Sequence, residues 1–216
     1  MRNRFDEQLK TLNRELTAMG AMCEEAIALS SKALTTKDRD LAKKVSGIES
    51  AIDRMEHSIE TLCLRLILQQ QPVAKDLRQV STALKMITDM ERIGDQAADI
   101  AEIVSYLDFA AVDNFDLLGK MAELTVKMVT ESVDAFVKKD VKIAKNAIKH
   151  DDGVDKCFSE IKSSLIKMIA DGVSDGEYAL DILMIAKYYE RIGDHAVNIA
   201  EWVVYSVTGK HKGENI

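Results

Sequence analysis

Carboxylates recur at helical spacing in two copies of one phrase. ERIGDQAADIAE runs from Glu91 to Glu102, and ERIGDHAVNIAE from Glu190 to Glu201, ninety-nine positions further on. On a helix, residues four apart share a face, and residues seven or eleven apart return to it. Glu91, Asp95, Asp99 and Glu102 therefore fall within an arc of about 80°, at about 100° of turn per residue. Glu190, Asp194, Asn198 and Glu201 repeat that stripe. A second acidic row precedes each copy: Glu49, Asp53, Glu56 and Glu60 in the first half, then Asp151 and Asp155, followed by Phe158 and Lys162, in the second. Each half thus carries two acid-x-x-x-Asp pairs, Glu49/Asp53 with Glu91/Asp95 and Asp151/Asp155 with Glu190/Asp194. If the helices bearing them are neighbours, four carboxylates converge. Such an oxygen-only ligand set suits hard cations such as Mg²⁺, Ca²⁺, Mn²⁺ and oxidised iron.

Two readings of these acids stay open. Charged outer faces are common, and the adjacent Arg92 and Arg191 supply partial neutralisation. Against a plain solvated face, like charges four apart cost roughly 0.2–0.5 kcal/mol per pair in a helix, yet here they recur at matching positions on four helices. Gly94 and Gly193 sit between the apolar stripe and the acids, at about 1 kcal/mol relative to alanine. Close approach of a neighbouring helix explains them, and so does room beside the carboxylates. His195 stands where the first copy has Gln96, either as an extra ligand or as an isolated surface imidazole. His57, His150 and His211 have no partner pattern.

The elements that position these residues follow from the repeat. A shift of 102 sets ALTTKDRDLA (33–42) on AFVKKDVKIA (135–144) and IDRMEHSI (52–59) on VDKCFSEI (154–161). The shift then drops to 99, which confines the length difference to one loop. Each half reads as three helices. In the third segment, Ala83, Met86, Met90, Ile93, Ala97, Ile100 and Val104 alternate steps of three and four, the mark of one buried stripe. Ile182, Ile185, Tyr189, Ile192, Ala196, Ile199 and Val203 do the same in the second half. Ile48, Ile52, Met55, Ile59, Leu62 and Leu66 form the stripe of the second segment. Its counterpart keeps Val154, Cys157, Ile161 and Met168 but is interrupted at His150 and Ser164. The first segments run roughly from Leu9 to Thr35 and from Asp116 to Lys138. Aspartates in TTKDRD and KKD offer N-caps for the segments that follow. Pro72 in one half, and the two glycines of DGVSDGE in the other, read as helix stops. The expectation is an all-α chain of two tandem homologous three-helix bundles: residues 1–107, a linker at 108–116, and residues 117–216.

Composition agrees. Of 216 residues, 47% are hydrophobic and 30% charged, with one proline and ten glycines, so the prior is helical. A net charge of −7 argues against nucleic acid as the main partner. The start MRNRFDEQLK is too charged for a secretory signal. No apolar run reaches the roughly 18–20 residues that span a bilayer. Cys23, Cys63 and Cys157 fit no zinc or redox spacing and read as reduced thiols in or near the core. An enzyme of the di-iron carboxylate type needs inward-facing Glu and Glu-x-x-His pairs. This chain has no Glu-x-x-His, and it lacks phosphate loops and nucleophile–base constellations.

Two three-helix halves, each with ERIGD followed by an A-x-x-I-A-E ending, resemble the PhoU family of bacterial phosphate-signalling regulators. QPVAKDLRQVSTALKMITDMERIGDQAADIAE (71–102) is similar to the family signature almost throughout. The resemblance implies a non-enzymatic, cytoplasmic protein, often a homodimer, that meets the membrane only through partners. Those partners are the ATPase subunit of the high-affinity phosphate ABC transporter and, in many bacteria, the sensor histidine kinase of phosphate starvation. Members restrain phosphate uptake and keep the starvation response off when phosphate is plentiful. Some carry multinuclear iron or zinc clusters on acid-x-x-x-Asp motifs. Those motifs map onto Glu49, Asp53, Glu91 and Asp95, with Asp99 beside them, and onto Asp151, Asp155, Glu190 and Asp194. Glu56, Glu102, His195, Asn198 and Glu201 border these sets as additional candidate ligands.

Overall fold

The computed structural model describes residues 2–70, 72, 74–109, 116–172 and 176–210, with backbone alone for 2–4 and 70. These residues form six helices and no strand: α1 (Arg2–Thr36), α2 (Arg39–Gln70), α3 (Lys75–Tyr106), α4 (Asp116–Lys138), α5 (Val141–Ala170) and α6 (Gly176–Thr208). Most of the expected linker, residues 110–115, lies outside the described residues, as do residues 173–175 of DGVSDGE and His211.

The two short turns are built alike. Lys37 and Lys139 take left-handed conformations, with φ of 56° and 53°. Their N–H groups, and those of Asp38 and Asp140, turn back onto Leu34, Ala33, Phe136 and Ala135, so the last carbonyls of α1 and α4 are satisfied. The next residue then caps the following helix. Asp38 Oδ1 accepts from the N–H groups of Asp40 and Leu41, and Asp140 from those of Lys142 and Ile143. Both expected aspartate caps are present. α2 ends just before Pro72, and α5 ends at Ala170, two residues before Gly172 (φ 68°). Gly176, expected as a second stop, instead opens α6, while Gly209 (φ 75°) closes it.

α2 packs on α1 and α3, α5 packs on α4 and α6, and the halves meet through α3 with α6 and α1 with α4. Four helices (α1, α3, α6, α4) thus form a central square, with α2 and α5 on opposite edges. Exchanging the halves leaves this pattern unchanged. The core runs continuously through both, from Phe5 to Val203. All seven stripe residues of α3 are buried, and all seven of α6. Both helices touch three neighbours, so their buried surface extends beyond one stripe to Ile87, Gly94 and Gln96 on α3.

The broken stripe of α5 has a local cause. His150 Nε2 lies 3.3 Å from Glu131 Oε2 on α4. The positions aligned with them, Ile48 and Leu29, pack as apolar side chains against the core. A polar contact thus stands in the second half where the first has apolar side chains. Cys23, Cys63 and Cys157 are buried free thiols, and burial pushes Cys23 and Cys63 up to about 12. Among the described residues, no helix is long and apolar enough to cross a membrane.

Candidate functional site

The acid-bearing turns of α2 and α3 lie side by side. Gly94 lets them approach: a Cβ there would stand 3.0 Å from Ile52 Cδ1. At this crossing Glu49, Asp53 and Asp95 each direct a carboxylate oxygen to one place, all within 4.8 Å of one another. Asp53 is exposed, whereas Glu49 and Asp95 are half-buried. Burial lifts Glu49 above its ordinary range, with repulsion from Asp53 and Asp95 adding to it and the Ser50 hydroxyl opposing. Burial and then Asp95 do the same to Glu91. Arg92 offsets part of the charge, with Nη1 2.9 Å from Asp95 Oδ2 and Nε 3.4 Å from Glu91 Oε2. Glu56 borders the group and is raised by burial and then by Glu60. Three oxygens at this separation, crowded by further carboxylates, fit an oxygen-seeking cation; Glu49, Asp53 and Asp95 would hold it, with Glu91 and Glu56 beside them.

The second half places the corresponding acids between α5 and α6. Asp151 Oδ1 lies 3.0 Å from where a Cβ on Gly193 would stand. The two glycines therefore answer different needs, helix approach at Gly94 and room for a carboxylate at Gly193. Burial, followed by repulsion from Asp155, Asp194, Asp152 and Glu190, lifts Asp151 to about 6. Asp194 is raised by burial and then by Glu190. Glu190 is held by the Lys187 ammonium, and Asp155 is exposed.

Three predicted residues belong to the seam between the halves. His195 Nδ1 lies 2.9 Å from Asp89 Oδ1 on α3, and Asn198 Nδ2 donates to the same oxygen at 3.2 Å. His195 is thus not an isolated imidazole: its Nδ1 is engaged by Asp89 across the seam. Asp99 carries a hydrogen bond from Tyr188 of α6, and burial, then Asp95, raises it. In the repeat Asp89 aligns with Tyr188 and Asp99 with Asn198, so one contact is made twice across the seam with different chemistry. Glu102 is exposed at the edge of the α2–α3 groove, and Glu201 is half-buried on α6. Asp89, Lys187 and Tyr188 escape the repeat comparison because the halves differ at these positions; only the Lys187-x-x-Glu190 spacing signals an ion pair.

Around α3, three packed neighbours leave a narrow free face, and Glu91, Asp95 and Asp99 are half-buried beside α2 and α6 rather than fully solvated. They remain outside the core, whose buried polar residues, among those described, are Ser30, Gln79, Thr82, Gln96, Thr125 and Ser132. A di-iron oxidase bundle requires carboxylates inside.

These features define a class: a duplicated helical-bundle protein with a carboxylate cluster in the outer groove of a helix pair. The chain belongs to the PhoU domain family, which matches residues 16–104 and 118–203. It is 35% identical over 210 residues to a phosphate-specific transport system accessory protein PhoU homolog of Clostridium acetobutylicum, covering 95% of each chain. It superimposes on the crystal structure of PhoU from Pseudomonas aeruginosa with a TM-score of 0.88 at 32% identity, covering 95% of this chain and 100% of that one. The phosphate transport system regulatory protein PhoU from Streptococcus pneumoniae gives a TM-score of 0.91 at 27% identity, covering 97% and 100%. These descriptions are of accessory and regulatory proteins.

Proposed function

We propose that this protein is a negative regulator of high-affinity phosphate uptake and, indirectly, of transcription in the phosphate-starvation response. It acts without enzymatic activity, as a cytoplasmic homodimeric adaptor between the ATPase subunit of a phosphate ABC transporter and a sensor histidine kinase, peripheral to the membrane through those partners. Membership of both halves in the PhoU domain family supports the phosphate role. The observation that carries the metal-binding part is the convergence of Glu49, Asp53 and Asp95 within 4.8 Å. Iron or zinc, or another divalent cation, would supply positive charge that locks α2 to α3. The protein's own residues orient those oxygens: Ser50 hydrogen-bonds Glu49 at 3.2 Å, and Ile52 seats α2 against Gly94.

The regulatory reading is tested by deleting the gene in its host. A phosphate-starvation reporter should switch on in rich phosphate, and a silent reporter sinks the reading. The metal reading is tested by elemental analysis after dialysis. Asp53→Asn with Asp95→Asn should remove more metal than Asp155→Asn with Asp194→Asn. Equal loss from the second pair contradicts the greater weight given to the first half. No change from either pair leaves a metal-free helical interaction module, the reading favoured by Arg92 bridging Glu91 and Asp95.

A further inference from the structure

The two acid faces are not equivalent, and two of the differing side chains meet each other. On α6, the Lys187 ammonium contacts the Glu190 carboxylate and lies 5.6 Å from the centroid of the Phe158 ring on α5. One cation is therefore held from both helices that border the second face. The Glu190 side chain is 18% exposed and that of Lys187 39%, so the pair is partly withdrawn from bulk water. The aligned positions in the first half hold Thr88 and Glu56. Thr88 turns its hydroxyl back to Leu84 O of its own helix, at 3.3 Å, and Glu56 places a carboxylate where the second half has a ring. At these two positions the first half sums to one negative charge and the second to one positive charge, a difference of two units.

The arginines do not cancel this difference. Arg92 binds only acids of its own helix and is 55% exposed, so a cation entering the first face can release it to water. Arg191 in the second half lies 6.0 Å from the Tyr188 ring centroid. Among the described residues, the cluster of three converging carboxylates forms in the first half alone.

We propose that Lys187 is the resident cation of the second face: its ammonium, seated on Phe158, neutralises Glu190 and closes that face to metal ions, leaving the first face as the one open to them. The selectivity rests on the metal-binding reading of the first half; the ion pair does not. A metal ion entering the second face must eject an ammonium from an aromatic seat or share the groove with it, and like charges at such range repel strongly.

The test uses full-length, metal-free protein titrated with Mn²⁺ and followed by electron paramagnetic resonance. Asp53→Asn with Asp95→Asn should abolish the Mn²⁺ binding of the unaltered protein. Adding Lys187→Met, which keeps the stem over Phe158 and removes the charge, should restore binding at least about tenfold tighter than in the two-site variant, the factor equivalent to 1.4 kcal/mol of relieved repulsion. If the two-site variant binds Mn²⁺ as tightly with Lys187 as without it, the proposal is overturned. If no form binds Mn²⁺, the metal reading of the first half falls, and thermal unfolding of metal-free protein decides the rest. Lys187→Met should lower Tm, and adding Glu190→Gln should recover most of that loss. Additive shifts would mean that the ammonium does not neutralise Glu190, and the proposal fails.

Discussion

Asp151 shows how a single carboxylate ties charge to stability. Its surroundings hold it at about 6 against an ordinary 3.8. A raised acid keeps its proton in the folded chain over a range where the unfolded chain has lost it. Its contribution is therefore complete below about pH 4 and is lost as pH rises through about 6. At neutral pH the charged, crowded form destabilises the fold. Asp151→Asn should then stabilise metal-free protein at pH 7 by about 1–2 kcal/mol, after discounting for solvent screening of a half-buried group. The fall in Tm between about pH 4 and 7 should flatten in that variant. An unchanged slope would show that other acids carry the dependence. At this scale, convergence of Glu49, Asp53 and Asp95 was legible in the sequence because it depends only on spacing along two helices that a short chain keeps adjacent. Asp99, His195 and Asn198 were not, since their partners sit across the seam on a helix about a hundred positions away.

Among the helices, the glycines separate packing from propensity. Gly94→Ala would drive a methyl to 3.0 Å from Cδ1 of Ile52, which is fully buried. Overpacking of that kind costs typically 1–3 kcal/mol against a propensity gain of about 1, so a net loss of about 1 kcal/mol is expected. At Gly193 the obstacle is the free end of Asp151, which can swing aside; Gly193→Ala should be neutral to about 1 kcal/mol stabilising. Nothing lies within 4 Å of a Cβ at Gly47 in α2, and Gly47→Ala should gain about 0.5–1 kcal/mol. Urea denaturation of the three variants checks the order, and a stabilising Gly94→Ala would contradict the close crossing. Asp140→Ala, which strips the α5 cap of two accepted hydrogen bonds, should cost about 1 kcal/mol in the same assay. The apolar stripes located α3, α6 and the limits of α4 because each repeats over many turns. α1 starts seven residues before the expected Leu9, since among residues 5–8 Phe5 alone is buried. The irregular face of α5 came from His150, whose partner Glu131 belongs to another helix.

Taken as one body, the described residues share one continuous core. Heating should give a single cooperative transition, with calorimetric and van't Hoff enthalpies in agreement; two resolved transitions would mean that the halves melt independently. The seam adds polar links to the shared core: Thr130 to Glu24 at 2.8 Å, Lys139 to Gln79 at 2.8 Å, and Asp89 to His195 at 2.9 Å. A fragment of residues 1–109 would bare the faces of α1 and α3 that α4 and α6 cover. Like elements meet like across that seam, so the fragment should pair with itself, as light scattering can show by a doubled mass; a stable monomer would contradict this. The arrangement is that of a two-fold dimer whose subunits share one chain. A true homodimer must apply every substitution to both of its sites at once. A fused one escapes that constraint, and the replacement of Glu56 and Thr88 by Phe158 and Lys187 is a change only a fused pair can make on one side. Fusion thereby frees the second copy to diverge in charge while the shared core still holds it in register with the first.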